Sequence, residues 1–144
     1  MLQGVPRIGV GTVGGLLLVL LAAGAGCGGP AIGQVSGKVT FRGQPVTEGK
    51  VTFLPQGAGN PAEADLQSDG SYRVQTIDGG LVVGDYLVLI NPPVVLVDTD
   101  PGKSPPSPME KPVKNIPARY RNQGTPLKVT VQPGANTFDF DLTP

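Results

Sequence analysis

The stretch VSGKVTFRGQPVTEGKVTF, residues 35–53, decides the fold class. Within it, Val35, Val39 and Phe41 share one face of an extended chain, while Ser36, Lys38 and Thr40 take the other. Successive side chains of a strand point to opposite sides, so this alternation marks a half-buried strand. Gly37 occupies a position on the apolar face without a side chain, which predicts close approach by another backbone. Gly43 and Pro45 then turn the chain, and Lys50–Leu54 resumes the alternation with Val51 and Phe53 together.

The same pattern repeats outward from this stretch. Pro55 to Pro61 reads as a loop, followed by a weaker strand with Ala62, Ala64 and Leu66 opposite Glu63 and Asp65. Ser68-Asp69-Gly70 is a tight turn, because Asp-Gly accepts the positive backbone angles that hairpins need. Tyr72, Val74 and Thr76 form the next strand face, and Asp78-Gly79-Gly80 turns the chain again. Tyr86–Ile90 is apolar on both faces, which predicts a central strand covered on each side. Leu127–Gln132, with Leu127, Val129 and Val131 inward, precedes Asn136–Leu142, with Phe138, Phe140 and Leu142 inward. Pro133-Gly134 supplies the turn between them. Seven short strands and no convincing amphipathic helix predict an all-β sandwich. Glycine and proline, 22 and 16 of 144 residues, punctuate these strands.

Residues 92–117 break the pattern with prolines at 92, 93, 101, 105, 106, 108, 112 and 117. Proline lacks a backbone donor, so an exposed insert outside the core is expected, with extended polyproline geometry along KSPPSPMEKP. Only Val94–Val97 is suited to local pairing. Such an insert is either an arm for a partner that recognises extended proline-rich chain or a surface spacer.

At the other end of the chain, Arg7 precedes the apolar run LLLVLLAA (16–23), the small residues Gly24, Ala25 and Gly26, and then Cys27. A short positive region, an apolar run and small residues form the layout of a secretory signal. The order AAGAGC resembles a bacterial lipobox, with Gly24 where leucine is usual. Cys27 is the only cysteine and has no internal disulfide partner, so diacylglycerol attachment accounts for both its solitude and its place. The expected organisation is a lipoprotein signal peptide at 1–26, a flexible tether at 27–33 and a β-sandwich at 34–144. Ordinary cleavage beside an incidental cysteine, or an uncleaved anchor across Ile8–Ala25, are the other readings of this run.

The phrases VSGKVTFRGQPVTEGKVTF (35–53), SDGSYRV (68–74) and GDYLVLI (84–90) together resemble carboxypeptidase regulatory-like domains. The phrase NIPARYRN (115–122), with the closing strands, looks like a version found in small bacterial envelope lipoproteins. The resemblance implies a seven-stranded, Greek-key, transthyretin-like sandwich in the cell envelope, anchored to a membrane and facing periplasm or exterior. It brings a non-catalytic accessory or binding role and no catalytic residue.

Composition points the same way. Eleven basic and 11 acidic residues leave no net charge to attract nucleic acid. Histidine is absent, which removes the commonest general base and metal ligand. A transthyretin-like hydroxyisourate hydrolase or a zinc peptidase would need it. Asp139 and Asp141 share a strand face and are expected to be solvated, and Asp98-Thr99-Asp100-Pro101-Gly102 reads as a polar turn; neither predicts a metal site. No cofactor is expected. Arg119, Tyr120 and Arg121 are the candidate residues for an acidic partner or an anion, or else cover apolar surface. The expected function is a non-catalytic, lipid-tethered interaction module that meets an unknown protein or glycan. A carbohydrate-binding accessory domain is the alternative, and a hydrolase with a serine–lysine or paired-carboxylate site is a third reading.

Overall fold

The computed structural model describes residues 28–103 and 105–144; the expected signal peptide at 1–26 and Cys27 lie outside the described residues. In chain order the strands are β1 (Ile32–Phe41), β2 (Gln44–Pro45), β3 (Lys50–Pro55), β4 (Ala62–Asp65), β5 (Ser71–Arg73) and β6 (Leu81–Val82). They continue as β7 (Gly84–Asn91), β8 (Val94–Val97), β9 (Ser107–Glu110), β10 (Lys128–Val131), β11 (Gly134–Thr137) and β12 (Phe140–Leu142). A single 3-10 turn among the described residues, Ala118–Tyr120, interrupts them. Among the described residues, no helix is long and apolar enough to cross a membrane.

Two sheets make a sandwich-like core. In the first, β1 pairs antiparallel with β2, β5 and β6 along one edge and parallel with β11 and β12 along the other. The second is antiparallel in the order β10-β7-β3-β4. Alternation sends Val35 and Val39 of β1 inward against Val51 and Phe53 of β3 and Val88 and Ile90 of β7, all essentially without solvent contact. Each such side chain contributes about 1.5–3 kcal/mol when buried. Phe53 joins the layers: its ring lies 6.0 Å from Tyr72 of the first sheet and 6.3 Å from Tyr86 of its own.

The expected close approach at Gly37 is present. A Cβ placed there would lie 1.9 Å from the carbonyl oxygen of Phe138. That carbonyl also accepts the Tyr72 hydroxyl at 2.7 Å. The chain crossing over Gly37 is the reason the last strand is not continuous: Phe138 and Asp139 form a break between β11 and β12.

Three expectations need correction. First, the closing strand expected over Asn136–Leu142 is two, β11 and β12, entered through Pro133-Gly134. That turn carries the chain from β10 in one sheet to β11 in the other, where the new strand runs parallel to β1. Buried Asn136 fixes this arch: its Oδ1 accepts from Gln132 N at 2.9 Å, and its Nδ2 donates to Gln132 O, Gly134 O and Gln34 O. Second, the first strand starts at Ile32, inside the expected tether, and Val83 N reaches Ala31 O at 2.9 Å. Third, the 92–117 segment does not lie wholly outside the core. Pro92 is buried, Val113 packs on the core, and Ile116 is fully enclosed.

The connections sort to two ends. Loop 56–61, turn 76–83 and arch 132–134 gather beside the start of β1. Turn 42–49, turn 66–70, the β8–β9 segment, the 3-10 turn and Thr143 gather beside the finish of β1. We refer to these as the entry end and the far end.

Candidate functional site

The Arg119-Tyr120-Arg121 group sits at the far end, and its polar atoms have internal partners. Arg121 Nε donates to Ile116 O at 3.0 Å, and its Nη2 reaches Val113 O at 3.3 Å. Its Nη1 also lies 3.8 Å from Glu110 of β9. Arg119 Nη2 donates to Thr143 O at 2.7 Å and to the Thr143 and Tyr120 hydroxyls, and the guanidinium lies 4.9 Å from the Tyr120 ring centre. The group therefore staples the returning insert and the last strand to the sandwich. Tyr120 is buried, and burial alone would raise its phenol. Hydrogen bonds with Thr143 and the neighbouring Arg119 guanidinium hold it below its usual 10.0.

Asp139 and Asp141 serve β1. Asp139 Oδ1 accepts from Lys38 N at 2.8 Å, and Asp141 Oδ1 accepts from Thr40 Oγ1 at 2.9 Å and Gly43 N at 3.4 Å. Asp98 and Asp100 close their own turn, with Asp100 N on Asp98 Oδ1 and Lys103 Nζ 3.7 Å from Asp100. Among the described residues, no three histidine, cysteine or carboxylate side chains converge.

A polar groove of about 910 Å3 runs along the open side between β4 and β5. Glu63, Asp65, Ser71, Arg73 and Asp139 line it. Ser71 Oγ donates to Asp69 Oδ1 at 2.6 Å, and Lys38 Nζ lies 4.0 Å from the same carboxylate. Asp69 is lowered from 3.8, chiefly by the Ser71 hydroxyl, so it is a weakened base. Its contacts stabilise the Asp69-Gly70 turn.

All three tyrosines are buried, and each hydroxyl is held. Tyr86 donates to Val82 O at 2.8 Å, Tyr72 bonds Phe138 O, and Tyr120 accepts from Thr143 N at 3.1 Å. No tyrosine face is left for stacking on a sugar ring.

Tyr72 supplies a pH-dependent prediction. Burial first, and the Asp139 charge second, raise its phenol well above 10.0. The folded state then holds this proton more tightly than the unfolded chain does. Its contribution is intact below pH 10 and is lost as pH rises above it. Tyr86, raised by burial, adds in the same sense, and Tyr120 acts in the opposite one. Denaturant melts should show stability falling above pH 10 in the wild type and less steeply in Tyr72→Phe, which also loses about 1 kcal/mol at neutral pH. Parallel pH profiles would refute this assignment.

The feature that stands out of the sandwich is the two-stranded sheet β8–β9, paired Val94↔Glu110 through Val97↔Ser107. Lys111 N donates to Pro93 O at 2.8 Å, which sets the ladder phase: pairs 95:109 and 97:107 exchange hydrogen bonds, and 96:108 does not. Pro108 thus sits where a missing N–H costs no rung, and it blunts the outer edge of β9. The opposite edge, along β8, pairs with no strand among the described residues. Leu96 is 73% exposed, Val94 62% and Met109 53%. Ion pairs hold the base of the hairpin: Lys111 Nζ with Glu48 at 2.6 Å, and Arg121 with Glu110. Sequence reading singled out Val94–Val97 but missed its partner strand. The signal was the alternation of Ser107 and Met109 around a proline that faces away from the ladder.

Comparison with known proteins adds no assignment: no family model matches the chain, no curated protein matches it, and no solved structure matches it.

Proposed function

We propose that the chain is a non-catalytic interaction module of the bacterial cell envelope, tethered to a membrane by lipid on Cys27, and that the β8–β9 hairpin is its binding arm. The observation that carries this reading is a hairpin with exposed apolar side chains on both faces, Val94 and Leu96 on one and Val95 and Met109 on the other, held at its base by ion pairs. Isolated apolar residues are ordinary on a surface, but several on one projecting element mark an interaction site. The open β8 edge adds a row of backbone donors and acceptors to which an extended segment of another protein can pair. Arg119, Tyr120 and Arg121 then act as the mounting of the arm rather than its contact surface. The finer fold assignment is a seven-stranded transthyretin-like sandwich of the carboxypeptidase regulatory-like type. Support comes from the non-consecutive antiparallel neighbours β3 and β7, joined through β5 and β6 of the opposite sheet as in Greek-key sandwiches.

Two measurements test the two halves. Mass spectrometry of the membrane fraction is expected to find an acylated peptide beginning at Cys27; an intact Met1 terminus, or only an unmodified soluble form, would remove the tether. Crosslinking in intact membranes is expected to give a discrete adduct that Leu96→Asp abolishes while the melt stays unchanged. An adduct indifferent to Leu96→Asp would remove the arm.

A further inference from the structure

The two ends of the sandwich differ in charge. At the entry end, the tether GGPA (28–31), loop QGAGNP (56–61) and arch QPG (132–134) carry no ionisable side chain, turn 76–83 carries Asp78, and Asp85 follows it beside Gln56. The far end holds Arg42, Glu48, Asp69, Lys111, Lys114 and Arg119, among others. The entry end also presents Ile77 at 106% exposure, with Ile32 at 37%. A shallow depression of about 350 Å3 lined by Gly29, Pro30, Ile32, Asp78 and Gly80 puts the tether and the Ile77 turn on one surface.

Resting on the lipid-tether reading, we propose that this sparsely charged end lies against the bilayer surface, with Ile77 entering the headgroup boundary, so that the domain stands upright and carries its hairpin away from the membrane. The occupant follows from chain length. Five residue steps separate Cys27 from Ile32, which at about 3.3–3.6 Å per residue hold the start of β1 within roughly 17 Å of the acylated cysteine. A lipidated Cys27 therefore brings this end, and no other, to the headgroups. The surface offered there can approach lipid with only Asp78 and Asp85 to keep in water, and a lone apolar side chain at its tip gains by entering the boundary. The end has no lysine or arginine and its charges, Asp78 and Asp85, are acidic, so the contact is apolar and gains nothing from anionic lipid.

The test uses the acylated protein purified from membranes, in which the Cys27 thioether leaves no free thiol. Ile77→Cys or Leu96→Cys is labelled with an environment-sensitive fluorophore and reconstituted into phosphatidylcholine vesicles containing nitroxide-labelled lipid. The label at 77 is expected to shift to the blue and to be quenched severalfold, with no gain from added anionic lipid, while the label at 96 behaves as in water. Equal exposure at both positions overturns the proposal and leaves the tether standing. A blue shift at 77 without lipid quenching also overturns it, because a protein then covers that end. The mass of the same preparation reports acylation at Cys27; its absence removes the tether, and this orientation with it.

Discussion

Gly37→Ala is expected to abolish cooperative folding or to lower stability by more than about 4 kcal/mol, a loss reserved for a few specific mechanisms. The added methyl would stand 1.9 Å from Phe138 O and 2.6 Å from Phe138 C, both backbone atoms. Relief would require the 138–139 crossing to lift away from β1. Lifting it breaks the Phe138 N to Ser36 O bond of 2.9 Å and the Tyr72 hydroxyl bond to Phe138 O. It also strains the Lys38 N contact with Asp139. Circular dichroism melts and denaturant titrations would measure the effect. Gly43→Ala is the control for adding a methyl to glycine, since nothing lies within 4 Å of its Cβ position and its cost is confined to a positive φ of 76°. A Gly37→Ala protein no less stable than Gly43→Ala would show that the crossing adapts.

The second large effect is expected at Ile116. Ile116→Ala should cost about 2–5 kcal/mol, the range for emptying a fully buried aliphatic position. The side chain has no solvent exposure, and its Cδ1 would lie 3.1 Å from a Cβ at Gly49, so it plugs the far end of the core. By contrast, replacing 98–106 with an Asn-Gly turn should leave the midpoint nearly unchanged. Val97 and Ser107 are already paired and exchange hydrogen bonds, a site that a two-residue turn can close. Both outcomes are read from the same melts. A large loss from the loop replacement, or none from Ile116→Ala, would reverse the boundary drawn here between insert and core.

Much of this architecture was legible because burial on one side imposes a period of two. Val35, Val39, Val51, Phe53, Ala62, Ala64, Tyr72 and Val74 were all placed inward by alternation, and all are buried. Tyr86–Ile90, apolar on both faces, is an inner strand of its sheet. Where the sequence misled, the cause was non-local. Pro133-Gly134 looks the same whether the chain doubles back or crosses to the other sheet; the decision rests with Asn136, whose hydrogen bonds reach Gln132 and Gln34. Proline content hid β9, because a proline's effect depends on which way its absent N–H points. Ile116 lies between two proline-bearing stretches and shows no period of its own. Arg119 and Arg121 looked like free cations because their acceptors are backbone oxygens, which carry no signature in a sequence.

The parallel pairing of β1 with β11 and β12 bears on how the molecule is made. Val39 lies beside Phe140 and Ser36 beside Thr137, partners about a hundred positions apart along the chain. Closing so long a loop costs entropy before any contact rewards it, so this seam forms late and slowly. A chain synthesised with its amino end first leaves β1 without one neighbour until residues 134–142 have emerged. For that interval the first sheet has only its β2, β5 and β6 side, and the interval ends when the last strand arrives.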